Sequence, residues 1–209
     1  MRGLITTRTA PALFVLLWRT GFTGIRYGIP YAPPFTFIAI RMAIASVLLA
    51  LISLAITKRF TYDLPTIGKS VLVGMTIHGA YLGGCFYGVK QGMPAGITAL
   101  ICSLQPVLVS VFSSIFFQEK LSPRKWLGLG LGLVGLVLVI APKLEGSGEQ
   151  GLPTAGVIAV FIALLGGTSG TLLQKKFGSG VEVLSGTSWQ YVATGILMGS
   201  LALIFESEQ

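Results

Sequence analysis

FTFIAIRMAIASVLLALISLAI, residues 35–56, is the stretch that decides the fold: it is apolar from end to end apart from Arg41 and a few small hydroxyl residues. About 20 such residues make a helix long enough to cross the hydrocarbon core of a bilayer. The pattern recurs along the chain. Apolar runs cover about Pro11 to Ile29 (span 1), Phe35 to Ile56 (span 2), Gly68 to Gly88 (span 3) and Gly96 to Phe117 (span 4). Three more cover about Trp126 to Ala141 (span 5), Thr154 to Leu173 (span 6) and Leu184 to Phe205 (span 7). The breaks between them carry turn chemistry, as in Gly28-Ile29-Pro30, Ala32-Pro33-Pro34, Leu121-Ser122-Pro123 and Gly178-Ser179-Gly180. No strong apolar/polar alternation suggests a barrel, and lipid offers no partner to unpaired backbone groups, so the runs are read as helices.

Composition agrees. Of the 209 residues 53% are hydrophobic and 11% charged, with mean hydropathy +0.81. A soluble domain carries roughly 25% charged residues. The expected fold class is therefore an all-α polytopic membrane protein with seven transmembrane helices. The net charge of +8 invites a nucleic-acid reading, but the placement of the charges argues against it. Arg2 and Arg8 precede span 1; Lys58, Arg59 and Lys69 lie around the junction of spans 2 and 3; Lys120, Arg124 and Lys125 join spans 4 and 5; Lys175 and Lys176 follow span 6. The opposite loops hold only Lys90 and Lys143. Basic residues in alternate loops are the positive-inside pattern. It places the chain in the cell (inner or plasma) membrane with a cytoplasmic N-terminus, and Glu206 and Glu208 outside. The first run contains Arg19 and no convincing cleavage site, so it reads as a retained span.

The chain also resembles itself at an offset of 148: Leu16-Leu17 faces Leu164-Leu165, Thr20 faces Thr168, Thr23 faces Thr171, and Arg41 faces Trp189 with Gln190 beside it. A first unit of five helices makes the second enter from the opposite side, an inverted repeat of the kind behind many secondary transporters. The expected organisation is a first repeat over 1–143, an external loop over 144–153, and an incomplete second repeat over 154–209.

Three stretches carry a family resemblance: Leu17-Trp18-Arg19-Thr20-Gly21-Phe22 on through Tyr27 to Pro34 and Arg41; Met93-Pro94-Ala95-Gly96 through Gln105-Pro106 to Glu119-Lys120-Leu121-Ser122-Pro123-Arg124-Lys125-Trp126-Leu127-Gly128; and Leu173-Gln174-Lys175-Lys176-Phe177-Gly178 with Trp189-Gln190-Tyr191. With these the chain resembles the EamA-like ten-helix members of the drug/metabolite transporter superfamily, stopping after seven of ten helices. The resemblance implies two inverted five-helix units around a central cavity. It also implies export or exchange of small metabolites such as amino acids, amines or nucleobases.

Ionisable groups in mid-membrane are functional candidates by default. Arg19 and Arg26, seven apart, share a face of span 1, and Arg41 lies in the first third of span 2. Lining a polar cavity is one reading for them; snorkelling (Arg26) or bonding to backbone carbonyls (Arg41) is the other. His78, the only histidine, sits in span 3 with Tyr81 and Cys85 on its face. It is read either as a proton-coupling group or as a hydrogen-bonded packing residue, with Tyr81 as a substrate contact. Gln105-Pro106 sits mid-span 4, where a proline kinks a helix and frees a carbonyl. Trp18, Thr20, Trp189 and Gln190 occupy matching places in the two units and complete the cavity candidates. Gly128, Gly132 and Gly135 of span 5 read as helix packing, and Cys85 and Cys102 as small packing residues without metal-ligand spacing.

Other functions fit less well. A P-loop is absent from the sequence. A seven-helix receptor has its N-terminus outside, and span 7 lacks a lysine for a retinal Schiff base. A hydrolase needs a nucleophile, a base and an oxyanion site, which one histidine and no nucleophile elbow do not supply. The expectation is a transporter, not an enzyme, working by alternating access on a small-molecule substrate, with lipid around it and no nucleic acid, metal or cofactor. The alternative is a truncated, transport-inactive chain or partner subunit that completes its fold by association, for instance as a homodimer.

Overall fold

Proline starts most of the helices. The computed structural model describes residues 30–56, 63–145 and 152–206, with Thr9, Leu13, Thr20, Gly24, Tyr27 and Gly28. Helix α1 spans Pro34–Ile56; α2, Leu64–Gly74; a π-helical turn, Met75–Ala80; α3, Tyr81–Lys90; α4, Ala95–Cys102; α5, Gln105–Phe116; α6, Pro123–Glu145; α7, Thr154–Phe177; and α8, Val183–Phe205. Pro34, Pro65 and Pro106 sit in first turns, Pro123 opens α6, and Pro94 and Pro153 precede α4 and α7. A first-turn N–H has no intrahelical partner, so proline loses nothing there and its fixed φ favours the helix. Among the described residues there is no strand.

The expected spans 2 to 7 are all helical. By length and composition four segments can cross a membrane: α1, α4 with α5 (Ala95–Phe116), α7 and α8. Span 3 is one continuous helical run, α2 through α3, widened at Met75–Ala80. Span 5 is α6. Span 1 lies almost wholly outside the described residues, and so do Trp18, Arg19 and Arg26.

Helix α7 is the centre of the assembly. Half of its spanning window is buried, against 22% for α1, 17% for Ala95–Phe116 and 28% for α8. The reason is its small residues. Gly156, Ala159, Ala163, Gly166, Gly167 and Gly170 face the run α2–α3, which offers Gly84 and Gly88 in return. A Cβ at Gly84 would come within 2.5 Å of the Ala159 carbonyl oxygen, and one at Gly156 within 3.2 Å of the Gly88 oxygen. Without a hydrophobic drive between helices in lipid, such close approach lets dispersion hold them. Among the described residues, which leave out most of span 1, no atom lies within 4 Å of a Cβ built at Gly128, Gly132 or Gly135. Helix α6 instead exposes Leu127, Leu131, Val134 and Leu138.

Helices α1 and α8 run antiparallel, and carboxylates bind them at both ends. At one end Glu206 accepts the Phe35 N–H, the Thr36 N–H and the Thr36 hydroxyl, each at 2.8 Å. At the other, Glu182 caps α8 through the Leu184 and Ser185 N–H groups and accepts the Ser53 hydroxyl at 3.2 Å. Between them the Ser188 hydroxyl donates to the Ser46 carbonyl at 2.8 Å. The buried stripe of α1 is Ile38, Met42, Ser46 and Ser53, whereas Ile40, Ile44, Val47 and Leu51 face outward. Apolar outside and small or polar inside is the pattern of a helix in lipid.

Candidate functional site

The polar groups of the interior meet where the π-turn crosses α7 and α8. Gly74 lets α2 approach α8 so closely that the Gln190 backbone stands where a Gly74 side chain would begin. The Thr194 hydroxyl then donates to the Gly74 carbonyl at 3.0 Å. The next residues form the π-turn, and the Thr76 hydroxyl bonds back to the Leu72 and Val73 carbonyls. Single π-turns are frequent at functional sites because they re-aim side chains and loosen the ladder. Here the turn carries His78. Its ring meets Tyr191, the neighbour of Gln190 on α8, edge-on at 4.7 Å between centroids. The Gln190 Nε2 donates to the Gln174 Oε1 at 2.8 Å. Gln190 is 6% exposed. The Gln190–Gln174 bond joins α8 to the end of α7, with His78 of the π-turn against the next residue, Tyr191.

The bonded pair borders a cavity of about 60 Å³ lined by polar groups including Lys69, Ser70, Gln174, Glu182, Thr187 and Gln190. The Ser185 amide, then the Leu184 amide and the Ser53 hydroxyl, hold the Glu182 carboxyl below its ordinary range against partial desolvation, so Glu182 is a carboxylate on the wall of the cavity that Lys69 also lines. The same end gathers the basic loops. Lys69 and Lys176 lie over the Phe177 ring at 5.8 and 5.5 Å, and Lys175 pairs with Glu119 at 2.7 Å. Two larger hollows, about 530 and 570 Å³, lie on the flanks of α7 and are lined almost entirely by apolar groups such as Phe35, Ile158, Ile162, Leu165 and Met198.

A second polar knot lies on the other flank of α7. Gln105 Nε2 donates to the Gly167 carbonyl and the Thr171 hydroxyl, both at 3.1 Å, while its buried Oε1 has no hydrogen-bond partner. The kink expected at Pro106 is realised one turn earlier. Proline removes the N–H that would bond to the Cys102 carbonyl, and the helix breaks at Ser103 and Leu104. Ser103 closes the turn with its own hydroxyl on the Leu100 carbonyl at 2.6 Å.

The structure thus brings His78 to Tyr191, beside Gln190 on α8. It places Gln105 and Tyr81 against Gly167. Tyr81 is 7% exposed and belongs to the apolar core; Pro106, Thr20 and Arg41 are exposed and Trp189 half-buried. Gln174, Lys69, Glu182 and Thr187 were not among the sequence candidates. Gln174 stands in a quoted family stretch, and Glu182 carries the signature of an acidic residue just before an apolar run; Lys69 reads only as a topology charge.

An all-helical chain whose lipid-facing surfaces are apolar and whose polar side chains turn inward belongs to the class of polytopic membrane proteins. Comparison with known proteins gives the family: the EamA-like transporter family model matches residues 10–141, and the chain belongs to that family. It is 32% identical over 215 residues to the uncharacterized transporter YvbV of Bacillus subtilis, covering 98% of this chain and 64% of the relative. Two relatives named "Probable amino-acid metabolite efflux pump" are each 25% identical. The one from Salmonella typhimurium aligns over 78% of this chain and 52% of its own length, the one from Escherichia coli over 92% and 64%. The chain spans between about half and two thirds of the length of these relatives.

Proposed function

We propose that the chain exports small metabolites, amino acids, amines or nucleobases among them, by alternating access in the cell membrane, with the basic end cytoplasmic. The observation that carries the proposal is the bonded pair Gln190 and Gln174 on the wall of a cavity that Lys69 and Glu182 also line. Amides offer donors and acceptors at once, and a cation with a carboxylate suits a zwitterion. Buried polar groups are costly in a membrane and mark substrate paths. The names of the two efflux-pump relatives support the amino-acid part of that substrate class. Inverted repeats with α1 and α8 as counterparts fit the antiparallel pair. The π-turn and the Ser103–Leu104 break are the hinges, since irregular turns absorb backbone rotation. The test is counterflow of labelled amino acids in proteoliposomes. Gln190→Leu and Arg41→Ala should each lower flux more than about tenfold, the size of a lost buried hydrogen bond to a charged or polar partner, with insertion unchanged. Full flux in both variants would remove the site.

A second reading, a subunit that completes its bundle by association, is supported by the outward apolar residues Ile158, Phe161, Ile162 and Leu165 on α7 and Ile196, Leu203 and Ile204 on α8. Mass measurement of the detergent-solubilised chain decides it: a monomer at every concentration rules it out.

A further inference from the structure

The transport reading leaves the two cysteines unused, yet the fold sets them face to face. Cys85 lies on α3 and Cys102 ends α4. Their sulfurs are 3.5 Å apart and both side chains are buried, at 1% and 4% exposure. Both thiols are free. Tyr81, Phe86 and Ile101 belong to the same apolar core. We propose that Cys85 and Cys102 form an oxidisable dithiol, whose closure by a membrane-soluble hydroperoxide staples α3 to α4 and arrests the hinge at Ser103–Leu104.

A disulfide holds its sulfurs at about 2.05 Å, so the pair must close by roughly 1.5 Å. The compliance is next door. Cys102 is the last helical residue before the break, and its carbonyl lacks the bond that Pro106 cannot donate. Five residues before Cys85 stands the end of the π-turn. Burial among apolar side chains excludes charged oxidants and admits small neutral ones that dissolve in lipid. In the reaction one sulfur attacks the terminal peroxide oxygen, the O–O bond breaks, and an alcohol leaves with that thiol's hydrogen. The second sulfur displaces the hydroxyl of the resulting sulfenic acid, which departs with the second thiol's hydrogen as water. One S–S bond replaces two S–H bonds, and the peroxide takes both electrons.

The stapled turn lies between Tyr81 on α3 and Gln105 at the start of α5, so closure fixes both flanking helices of the proposed hinge. The effect on flux rests on the carrier reading; the disulfide and the stiffened hinge do not. The experiment treats the reduced full chain in lipid nanodiscs with tert-butyl hydroperoxide. Intact mass should fall by two hydrogens. Both cysteines should resist N-ethylmaleimide after denaturation and regain reactivity with dithiothreitol. Amide exchange at Ser103 and Leu104 should slow more than about tenfold, which is one 1.4 kcal/mol step in the opening equilibrium. Cys102→Ala should show neither the mass change nor the slowing. Two thiols that still alkylate, or a disulfide formed only between chains, overturns the proposal; so does a closed disulfide with unchanged exchange. In proteoliposomes oxidised wild type should lose flux that Cys102→Ala keeps. Chains that never transport speak against the carrier alone, since mass and exchange still decide the staple.

Discussion

Glu206→Ala removes the carboxylate that holds the first turn of α1. Three hydrogen bonds end there, from the Phe35 and Thr36 amides and the Thr36 hydroxyl, all at 2.8 Å. Glu206 is 8% exposed, and Pro34 before these amides has no N–H. A helix N-terminus carries partial positive charge that favours an anion, which explains a buried carboxylate with no cation needed beside it. Losing one N-cap bond costs about 0.5–2 kcal/mol, and net bonds to charged groups about 1.5–3 kcal/mol each. The freed amides regain some water at the helix end, so the expected loss is about 3 kcal/mol. For a chain of this size that lowers the melting temperature by about 6–12 °C. Glu206→Gln keeps one acceptor oxygen and should lose about half as much; Thr36→Val, which spares both amides, about 1 kcal/mol. Thermal unfolding in detergent reads the stability, and amide exchange at Phe35 and Thr36 reads the site. An Ala variant that melts with wild type and protects both amides would refute the clamp.

Other outcomes follow from the same geometry. Gly84→Leu drives a side chain into the Ala159 carbonyl and should cost at least about 1–3 kcal/mol, while Gly128→Leu on α6 should leave detergent stability unchanged; equal losses would dissolve the distinction between the helices. The lowered Glu182 carboxyl contributes stability that is fully present above its ordinary value of 4.5 and is lost as pH falls through its lower folded value. Exchange at Leu184 and Ser185 should therefore stay slow down to that value and accelerate below it; acceleration on the neutral side would reverse the sign. Gln91→Cys, in the loop after α3, should react with an impermeant maleimide on intact cells and Ser179→Cys should not. The opposite pattern would invert the topology.

The spans were legible because each is a long apolar run ended by proline or glycine, a signal that lives within one segment. The break near Pro106 was legible for the same local reason, though its position followed the missing N–H back to residue 103. Partnership was not legible. The glycines of span 5 have the spacing for close packing, but spacing says nothing of which helix arrives, and among the described residues the close contacts fall on Gly156, Gly166, Gly167 and Gly170 of α7. Of the polar site, His78 and Gln190 stood out as rare polar groups within apolar runs. Lys69 and Gln174 did not, because the fold brings residues 69, 174, 182 and 190 to one cavity from three segments.

The small-residue face of α7 has a mechanical meaning. Helices that interlock large side chains are geared: sliding one along the other forces each ridge over the next. Where α3 meets α7 both surfaces are nearly toothless, glycine and alanine against glycine. What remains between them is mainly Val160 and Met93, buried beside Gly88 and Gly156. The axes there are held at the spacing that the backbones themselves set, beside a helix pair that carboxylates tie at both ends.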